Sequence, residues 1–531
     1  MSTIYGFYGG GHNSSTTLMV DGKIVHCVEE ERMNRIKAGN YHEDDFPILS
    51  SNEIAKRTGI PFRDTDHMVF VKPTILSRIR EHIGYNFDEV SHHSAHNYSS
   101  YFTSGMEGKV ISVSFDGGGD LSFMKAFLCE DGKMTLVKRL DTSKYGSVSV
   151  IWAFMTTWMM GRSDNCWHNW RMCKDEGKLM GMAPDGDLDD TWQRIFESIL
   201  QYNDLEFYPS GTDQKTKFVM ESLWDAGYFQ TQEQREIASY NLQHFTEKIM
   251  LKFFEDLHKL YPEYTKIVLS GGLFANVKLN QKINELPWVE EIYICPAMGD
   301  DGLSLGAAII KAVEVGDITK PFKLNSAAFG FEYSDDEIRE VSKSYNFNSE
   351  PYDVDVIAED INQGRVIGWF QGKMEYGPRA LGSRSILVRP TDKLTHKLLN
   401  ERLSRHDTMP FAPMVMDEHF EDIFTMSKSK YAAQFMTICY TTKDSWIPKI
   451  PAVIQKSDKT ARPQVVGKEN LPKVWELMES YRKKSGIPVL LNTSFNIHNE
   501  PIIENPVHAF NHLQNKIVDK LVIGNYVYTN K

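Results

Sequence analysis

The chain has 531 residues, 41% of them apolar and 24% charged, which is too long for one core and reads as ordinary globular protein of roughly two to four domains. Its net charge of −12 argues against a surface built as a whole to bind nucleic acid, without excluding a local basic groove. No run approaches the ~18 apolar residues of a membrane span, Met1-Ser2-Thr3-Ile4-Tyr5 carries no basic and apolar leader, and six unpatterned cysteines fit a reducing compartment, so a cytoplasmic protein with no membrane partner is expected. Cys166 and Cys173 are the closest pair, at a spacing that fits no common zinc knuckle.

In chain order, residues 3–31 read as strand, Gly9-Gly10-Gly11, strand, Asp21-Gly22-Lys23, strand. Residues 109–138 repeat this with Gly117-Gly118-Gly119 and Asp131-Gly132-Lys133. Asp-Gly between apolar runs marks a tight hairpin, so the spacing predicts a duplicated glycine-turn and hairpin unit. Coincidence between two glycine turns is the alternative. Residues 155–262 read as mostly helical. Lys266–Leu269 is a short strand opening into Ser270-Gly271-Gly272 and a helical segment from Phe274 to Ile283. Ile292–Cys295 is another, opening through Gly299-Asp300-Asp301-Gly302 into a small-residue helix. Strands ending in glycine turns that open helices predict an α/β architecture. Loop chemistry at 316–350 predicts a boundary between residues 1–340 and 350–531. The second part mixes strands (365–370, 489–491, 520–523) with helices (469–485, 506–513).

Four constellations could carry chemistry. In His92-His93-Ser94-Ala95-His96, a helix puts His92 and His96 one turn apart on one face, where two imidazoles can share a metal ion. Asp116 and Asp300 at the mouths of glycine turns could complete the ligand set, although such residues also serve as helix caps. Gly117-Gly118 and Gly271-Gly272 are candidate phosphate-binding nests, without a P-loop or a dinucleotide fingerprint. The run Gln371–Ser385 carries Lys373, Arg379 and Arg384 among Gly, Pro and Leu, and Arg389, Arg402, Arg405 and Arg462 follow. Rigid guanidinium forks at strand ends suit a phosphate or carboxylate; a solvated basic surface is the alternative. Asn492-Thr493-Ser494-Phe495-Asn496, just after an apolar strand, could bind a ligand or cap a helix.

These segments resemble the O-carbamoyltransferases of the nodulation-protein, cephalosporin and tobramycin type. The match runs through Gly11-His12-Asn13-Ser14, Glu29-Glu30-Glu31-Arg32, Arg35-Ile36-Lys37, the His92–His96 run, Glu176-Gly177-Lys178, Met180-Gly181-Met182-Ala183 and Gly271-Gly272 with Asn276 and Asn280. It continues in Gly299-Asp300-Asp301-Gly302, Glu375–Gly382, Pro410-Phe411-Ala412-Pro413, Thr460-Ala461-Arg462 and Asn492–Asn496. The resemblance implies an α/β fold, with a duplicated actin-like ATPase (ASKHA) domain over 1–340 followed by a YrdC-like α/β domain over 350–531. It implies that the second site makes carbamoyl-adenylate from carbamoyl phosphate and ATP, and that the first transfers the carbamoyl group to an acceptor hydroxyl. Carried over by position, His92, His96, Asp116 and Asp300 hold a divalent metal, iron first and magnesium, manganese or zinc as alternatives. His12 and Lys37 lie at the transfer site, and Arg379, Arg405, Arg462 and Ser494 line the carbamoyl-phosphate and ATP site. Gly117, Gly118, Gly271, Gly272, Asn276, Asn280, Arg384, Asn492 and Asn496 are the nucleotide-binding candidates.

Departures fall in the donor pocket and near the start. Leu403 and Met409 stand where the family carries basic residues, Asn13 stands for the usual Asp, and Gln455–Lys459 lacks the usual His and Gly. The acceptor is read from Gly161–Lys174, where Trp167 and Trp170 could stack on bases and Arg162 and Arg171 meet phosphates. The acceptor is then the hydroxymethyl of a modified pyrimidine in DNA, with a sugar or antibiotic-like hydroxyl as the alternative, and the compartment is the host cytoplasm if the chain is viral. An aromatic brace between helices is the structural alternative for that segment. A non-catalytic nucleotide-binding protein, a sugar-kinase-like phosphotransferase and a homodimer remain open.

Overall fold

The computed structural model describes residues 2–9, 12–39, 46–71, 87–160, 176–404, 411–425, 428 and 430–531. Arg162, Trp167, Trp170, Arg171 and Arg405, with Gly10, Gly11, Cys166, Cys173 and Met409, lie outside the described residues.

Two sheets in the first part share one topology. Strands β1 (Thr3–Tyr8), β2 (Ser15–Val20) and β3 (Lys23–Glu29) form an antiparallel meander. Parallel strands β4 (His67–Val71) and β5 (Asp88–Val90) add to its first strand, giving the order β3-β2-β1-β4-β5. Strands β6 (Val110–Gly119), β7 (Ser122–Glu130) and β8 (Lys133–Asp141) repeat the meander. After a small hairpin of β9 (Gln201–Asn203) and β10 (Glu206–Tyr208), β11 (Lys266–Ser270) and β12 (Glu291–Ile294) add in parallel, giving β12-β11-β6-β7-β8. The repeat read from the hairpin spacing is thus a repeat of topology.

Both Asp-Gly pairs turn as their chemistry demands, with φ 47° and 71° at Asp21 and Gly22 and 51° and 81° at Asp131 and Gly132. The β6–β7 turn adopts the same left-handed pair without glycine, at Asp120 and Leu121. The turn expected at Gly117-Gly118-Gly119 is therefore displaced. Those glycines lie within β6, where the pairing register slips between Phe115 and Gly119.

Helices His92–Ser104 and Leu303–Glu314 follow β5 and β12, one lying on each sheet, and pack against each other between them. Gly306 makes that approach feasible, because a Cβ there would sit 2.0 Å from the Ala95 carbonyl oxygen. The stretch expected to be helical holds helices Val148–Met159, Asp190–Ile199, Thr212–Asp225 and Gln232–Leu260, with the β9–β10 hairpin among them.

The second part is built on β13 (Phe347–Pro351), β14 (Ile367–Phe370), β15 (Arg384–Val388), β16 (Ala412–Met416), β17 (Tyr440–Thr441), β18 (Thr460–Ala461), β19 (Gln464–Val466), β20 (Val489–Ser494), β21 (Lys520–Ile523) and β22 (Tyr526–Asn530). Eight of them form one mixed sheet in the order β13-β22-β21-β14-β15-β20-β16-β19, with β17 and β18 paired apart. Helices Val354–Asn362 and Pro472–Ser485 bury Ile357, Ile361, Leu477 and Tyr481 against one face. Asn492, Thr493 and Ser494, expected just after a strand, extend β20 by pairing with Leu387, Ile386 and Ser385.

Candidate active site

Helix His92–Ser104 presents His92 and His96 on one side. Its first N–H is capped by the Asp120 carboxylate from the β6–β7 turn. Asp116 sits near the end of β6, and Asp300 opens the turn after β12. His96 Nε2 lies 3.4 Å from Asp116 Oδ2 and 3.4 Å from Asp300 Oδ1, and His92 Nε2 lies 3.5 Å from Asp300 Oδ1. One ligand atom from each of the four residues falls within 4.8 Å of all the others. Nε2 of both histidines is buried without a hydrogen-bond partner. Buried nitrogens left orphaned beside two carboxylates fit a divalent cation.

Electrostatics bind the four groups into a unit. Burial pushes both imidazoles toward neutrality and prevails at His92; at His96 the Asp116 and Asp300 carboxylates overcome it and lift the ring to about 9. Burial opposes ionisation of Asp300, yet His92, His96 and His12 hold it well below the usual carboxylate range. Two supports escaped the sequence reading. The Tyr8 hydroxyl donates to Asp300 Oδ2 at 2.6 Å. Gly119 lies against the His92 ring, where a Cβ would come within 2.3 Å.

Gly117, Gly118 and Gly272 of the expected phosphate nests line a cavity, and three of the glycine N–H groups are engaged within the protein. Gly117 N–H donates to Asp116 Oδ1 at 2.5 Å, and Gly272 N–H donates to Oδ2 at 2.8 Å. Gly271 N–H is taken by the Met298 carbonyl. Backbone donors from β6 and from the turn after β11 thus orient the Asp116 carboxylate. Asn280, a nucleotide-binding candidate, is fully buried and donates to the Phe274 and Thr437 carbonyls, 2.8 Å each. Asn276 caps the helix Val277–Glu285.

The arginine-bearing loop between β14 and β15 is folded around one carboxylate. Glu375 Oε1 accepts N–H donors from Leu381, Ser383 and Arg384 at 2.7, 2.6 and 3.0 Å. Sequence reasoning missed this residue. Arg384 is not available to a ligand: fully buried over the Phe370 ring, it donates to the carbonyls of Gln371, Gly372, Ser383, Phe331 and Glu504. Lys373 reaches the Val25 carbonyl, Arg389 the Asn362 carbonyl and Asp392, and Arg402 pairs with Asp519, so the expected arginine-rich site is narrower than the run suggests.

Arg379 and Arg462 behave differently. The Nε of each is buried without a hydrogen-bond partner. Burial and the charge of Arg462 push Arg379 down to about 9, and burial pushes Arg462 down as well. Arginine stays protonated at neutral pH, so the pair is a partly desolvated positive site that an anion would relieve. Ser494 Oγ donates to Asn496 Oδ1 at 2.5 Å nearby in sequence, and Asn492 donates to the Ala380 carbonyl and Gln464 Oε1 behind the loop.

A cavity of about 480 Å³ joins the two clusters. His12, Lys37, Asp116 and Asp300 line it from the first part, and Arg379, Ser494 and Asn496 from the second. Its size is that of a small-molecule site.

A family model described as the carbamoyltransferase N-terminus matches residues 74–309, and one described as the carbamoyltransferase C-terminus matches residues 358–530. The chain belongs to the carbamoyltransferase family. Nodulation protein NolNO of Sinorhizobium fredii is 28% identical to it, over 97% of this chain and 78% of that protein. 3'-hydroxymethylcephem-O-carbamoyltransferase of Amycolatopsis lactamdurans is 23% identical, over 98% of each chain. Full-length HypF, solved in a phosphate- and nucleotide-bound form, aligns over 59% of this chain and 46% of its own at 14% identity, with a TM-score of 0.35. Among the described residues of this carbamoyltransferase, no helix is long and apolar enough to cross a membrane.

Proposed function

We propose that this carbamoyltransferase makes carbamoyl-adenylate at the Arg379 end of the cavity and transfers its carbamoyl group to an acceptor hydroxyl at the His12 end. The carrying observation is the single cavity that both clusters line. Water cleaves carbamoyl phosphate to carbamate and phosphate. A carbamate oxygen attacks the α-phosphorus of ATP and releases pyrophosphate. The acceptor oxygen then attacks the carbamoyl carbon, AMP leaves, and the hydroxyl proton goes to a base. Arg379 and Arg462, with Ser494, hold the anionic donor and offset charge on the leaving phosphates. Arg405 belongs to the same proposal from sequence.

His12 is the base. Its Nδ1 lies 3.1 Å from Asn13 Oδ1, an acceptor that keeps the proton on Nδ1 and leaves Nε2 basic. Nε2 lies 3.7 Å from Asp300 Oδ2, a carboxylate that stabilises the imidazolium once formed. Asn13 thus serves the tautomer without the charge of the family's usual Asp. His92, His96, Asp116 and Asp300 would hold the metal, and two imidazoles with two carboxylates suit iron or zinc, with manganese the more oxygen-loving choice. When bound, such an ion supplies Lewis-acid stabilisation of charge on the adenylate. The duplicated sheets support the ATPase-like reading of the first part, and the mixed sheet with its arginines supports the YrdC-like reading of the second.

The acceptor we favour is a small hydroxyl compound, because the cavity has small-molecule dimensions and the net charge of −12 repels a polyanion. Hydroxymethylated DNA is the other acceptor class to test, since Arg162, Trp167, Trp170 and Arg171 lie outside the described residues. Pyrophosphate release from ATP on adding carbamoyl phosphate tests the first half-reaction. Arg379→Ala is expected to abolish it, and His92→Ala to spare it while losing transfer. Loss of the same step in both variants would contradict the division of labour.

A further inference from the structure

The segment Glu29–Arg35 at the end of β3 carries charged residues that the two half-reactions do not use. It is far in sequence from the arginine loop and yet grips it. Gly377 N–H donates to Glu29 Oε1 at 2.6 Å, and the Gly377 carbonyl accepts from Arg32 Nη2 at 2.8 Å. Arg32 also reaches Glu29 Oε1 at 3.2 Å and Glu31 Oε1 at 2.6 Å, so its two arms are committed. Glu29 and Arg32 are 4% and 3% exposed, which makes these charge-assisted bonds strong and their loss costly. Gly377 itself sits at φ 105° with a Cβ position only 2.8 Å from the Pro296 carbonyl oxygen, so no other residue could hold this corner. Pro378 follows and stiffens the link to Arg379. Arg35 then donates to the carbonyls of Pro501 and Ile502 at 2.8 and 2.7 Å, holding a second loop that lines the cavity.

We propose that Glu29 and Arg32 are positioning residues for the donor site: by fixing both backbone groups of Gly377 they aim Arg379 at the donor anion. The inference rests on reading Arg379 as a ligand of that anion. Arg379 depends on such a hold because its own Nε has no partner to fix it.

Glu29 gives a test with an unambiguous sign. Removing a negative charge from the cavity wall strengthens anion binding if charge alone matters. If Glu29 acts by positioning, Glu29→Gln weakens it. The experiment is calorimetric titration of carbamoyl phosphate into the full-length wild type, Glu29→Gln, Arg32→Lys, Arg379→Lys and the double variant Glu29→Gln/Arg379→Lys, with melting temperature and metal content recorded for each. The expected result is a Kd raised about tenfold in Glu29→Gln and in Arg32→Lys, the loss of one charge-assisted contact, with a lowered melting temperature but a folded protein and metal content kept. The double variant binds no worse than Arg379→Lys alone, because the effect passes through Arg379. Glu29→Gln binding as well as the wild type, or more tightly, overturns the inference. If Glu29→Gln does not fold, Arg32→Lys decides it by the same measure, since lysine keeps the charge but cannot span two carboxylates and a carbonyl. A wild type that binds no carbamoyl phosphate removes instead the reading of Arg379 on which the inference rests.

Discussion

Arg379 and Arg384 stand on the same loop and meet opposite surroundings. Arg384 is saturated by five backbone carbonyls, whereas Arg379 keeps a buried Nε without a partner beside another cation. Arg384→Lys cannot replace that fan of donors and is expected to cost about 2–4 kcal/mol of stability, read as a lower melting temperature. Arg379→Ala is expected to leave the melting temperature unchanged or raise it while abolishing pyrophosphate release, because a desolvated charge without a counter-ion is held against stability for function. A melting temperature lowered as far by Arg379→Ala as by Arg384→Lys would contradict the distinction. Sequence could not separate the two arginines, since both are flanked by small uncharged residues, Pro378 and Ala380 at one and Ser383 and Ser385 at the other. What decides is whether nearby carbonyls fill the guanidinium, and those carbonyls come from Phe331 and Glu504 as well as from the loop. His92 and His96 were legible because helical spacing itself puts them on one face.

At the scale of elements, the helix His92–Ser104 depends on a hairpin tip that only pairing register reveals. Gly119→Ala places a methyl within 2.3 Å of the His92 ring. The expected outcome is loss of bound metal by elemental analysis with the rest of the fold retained, and undiminished metal in that variant would show that His92 is not needed where it stands. The helix Pro506–Gln514 makes a different prediction. Burial, and then Arg35 and His512, push His508 down from 6.5 to about 3, and its Nδ1 accepts the Glu504 N–H at 3.3 Å. A histidine whose folded value lies below its unfolded value stabilises the fold above about 6.5 and loses that contribution as pH falls toward 3. Melting temperature should therefore drop on acidification below about pH 6.5, less steeply in His508→Gln. Equal slopes for the two proteins would remove His508 as the cause. The Asp-Gly hairpins were readable because a type I′ turn demands those residues. The Asp120-Leu121 turn was not, because its left-handed pair is imposed by strand pairing and by the helix that Asp120 caps.

At the scale of the molecule, the alternation of strands, glycine turns and helices was enough to read an α/β chain with a duplicated first part. The junction was not legible. Glu29, Arg32 and Arg35 meet Gly377, Pro501 and Ile502 across hundreds of residues, and no local pattern encodes such a contact. That junction turns two clusters into the walls of one cavity. The most direct test of the account supplies the metal-loaded, full-length protein with ATP, isotope-labelled carbamoyl phosphate and a panel of hydroxyl acceptors that includes hydroxymethylated DNA, and follows nucleotides and acceptors by mass spectrometry. The expected products are AMP and pyrophosphate together with one labelled carbamoyl group on an acceptor, none of them formed by Arg379→Ala. ADP with a phosphorylated acceptor, or a carbamoylated acceptor formed without ATP, would contradict it.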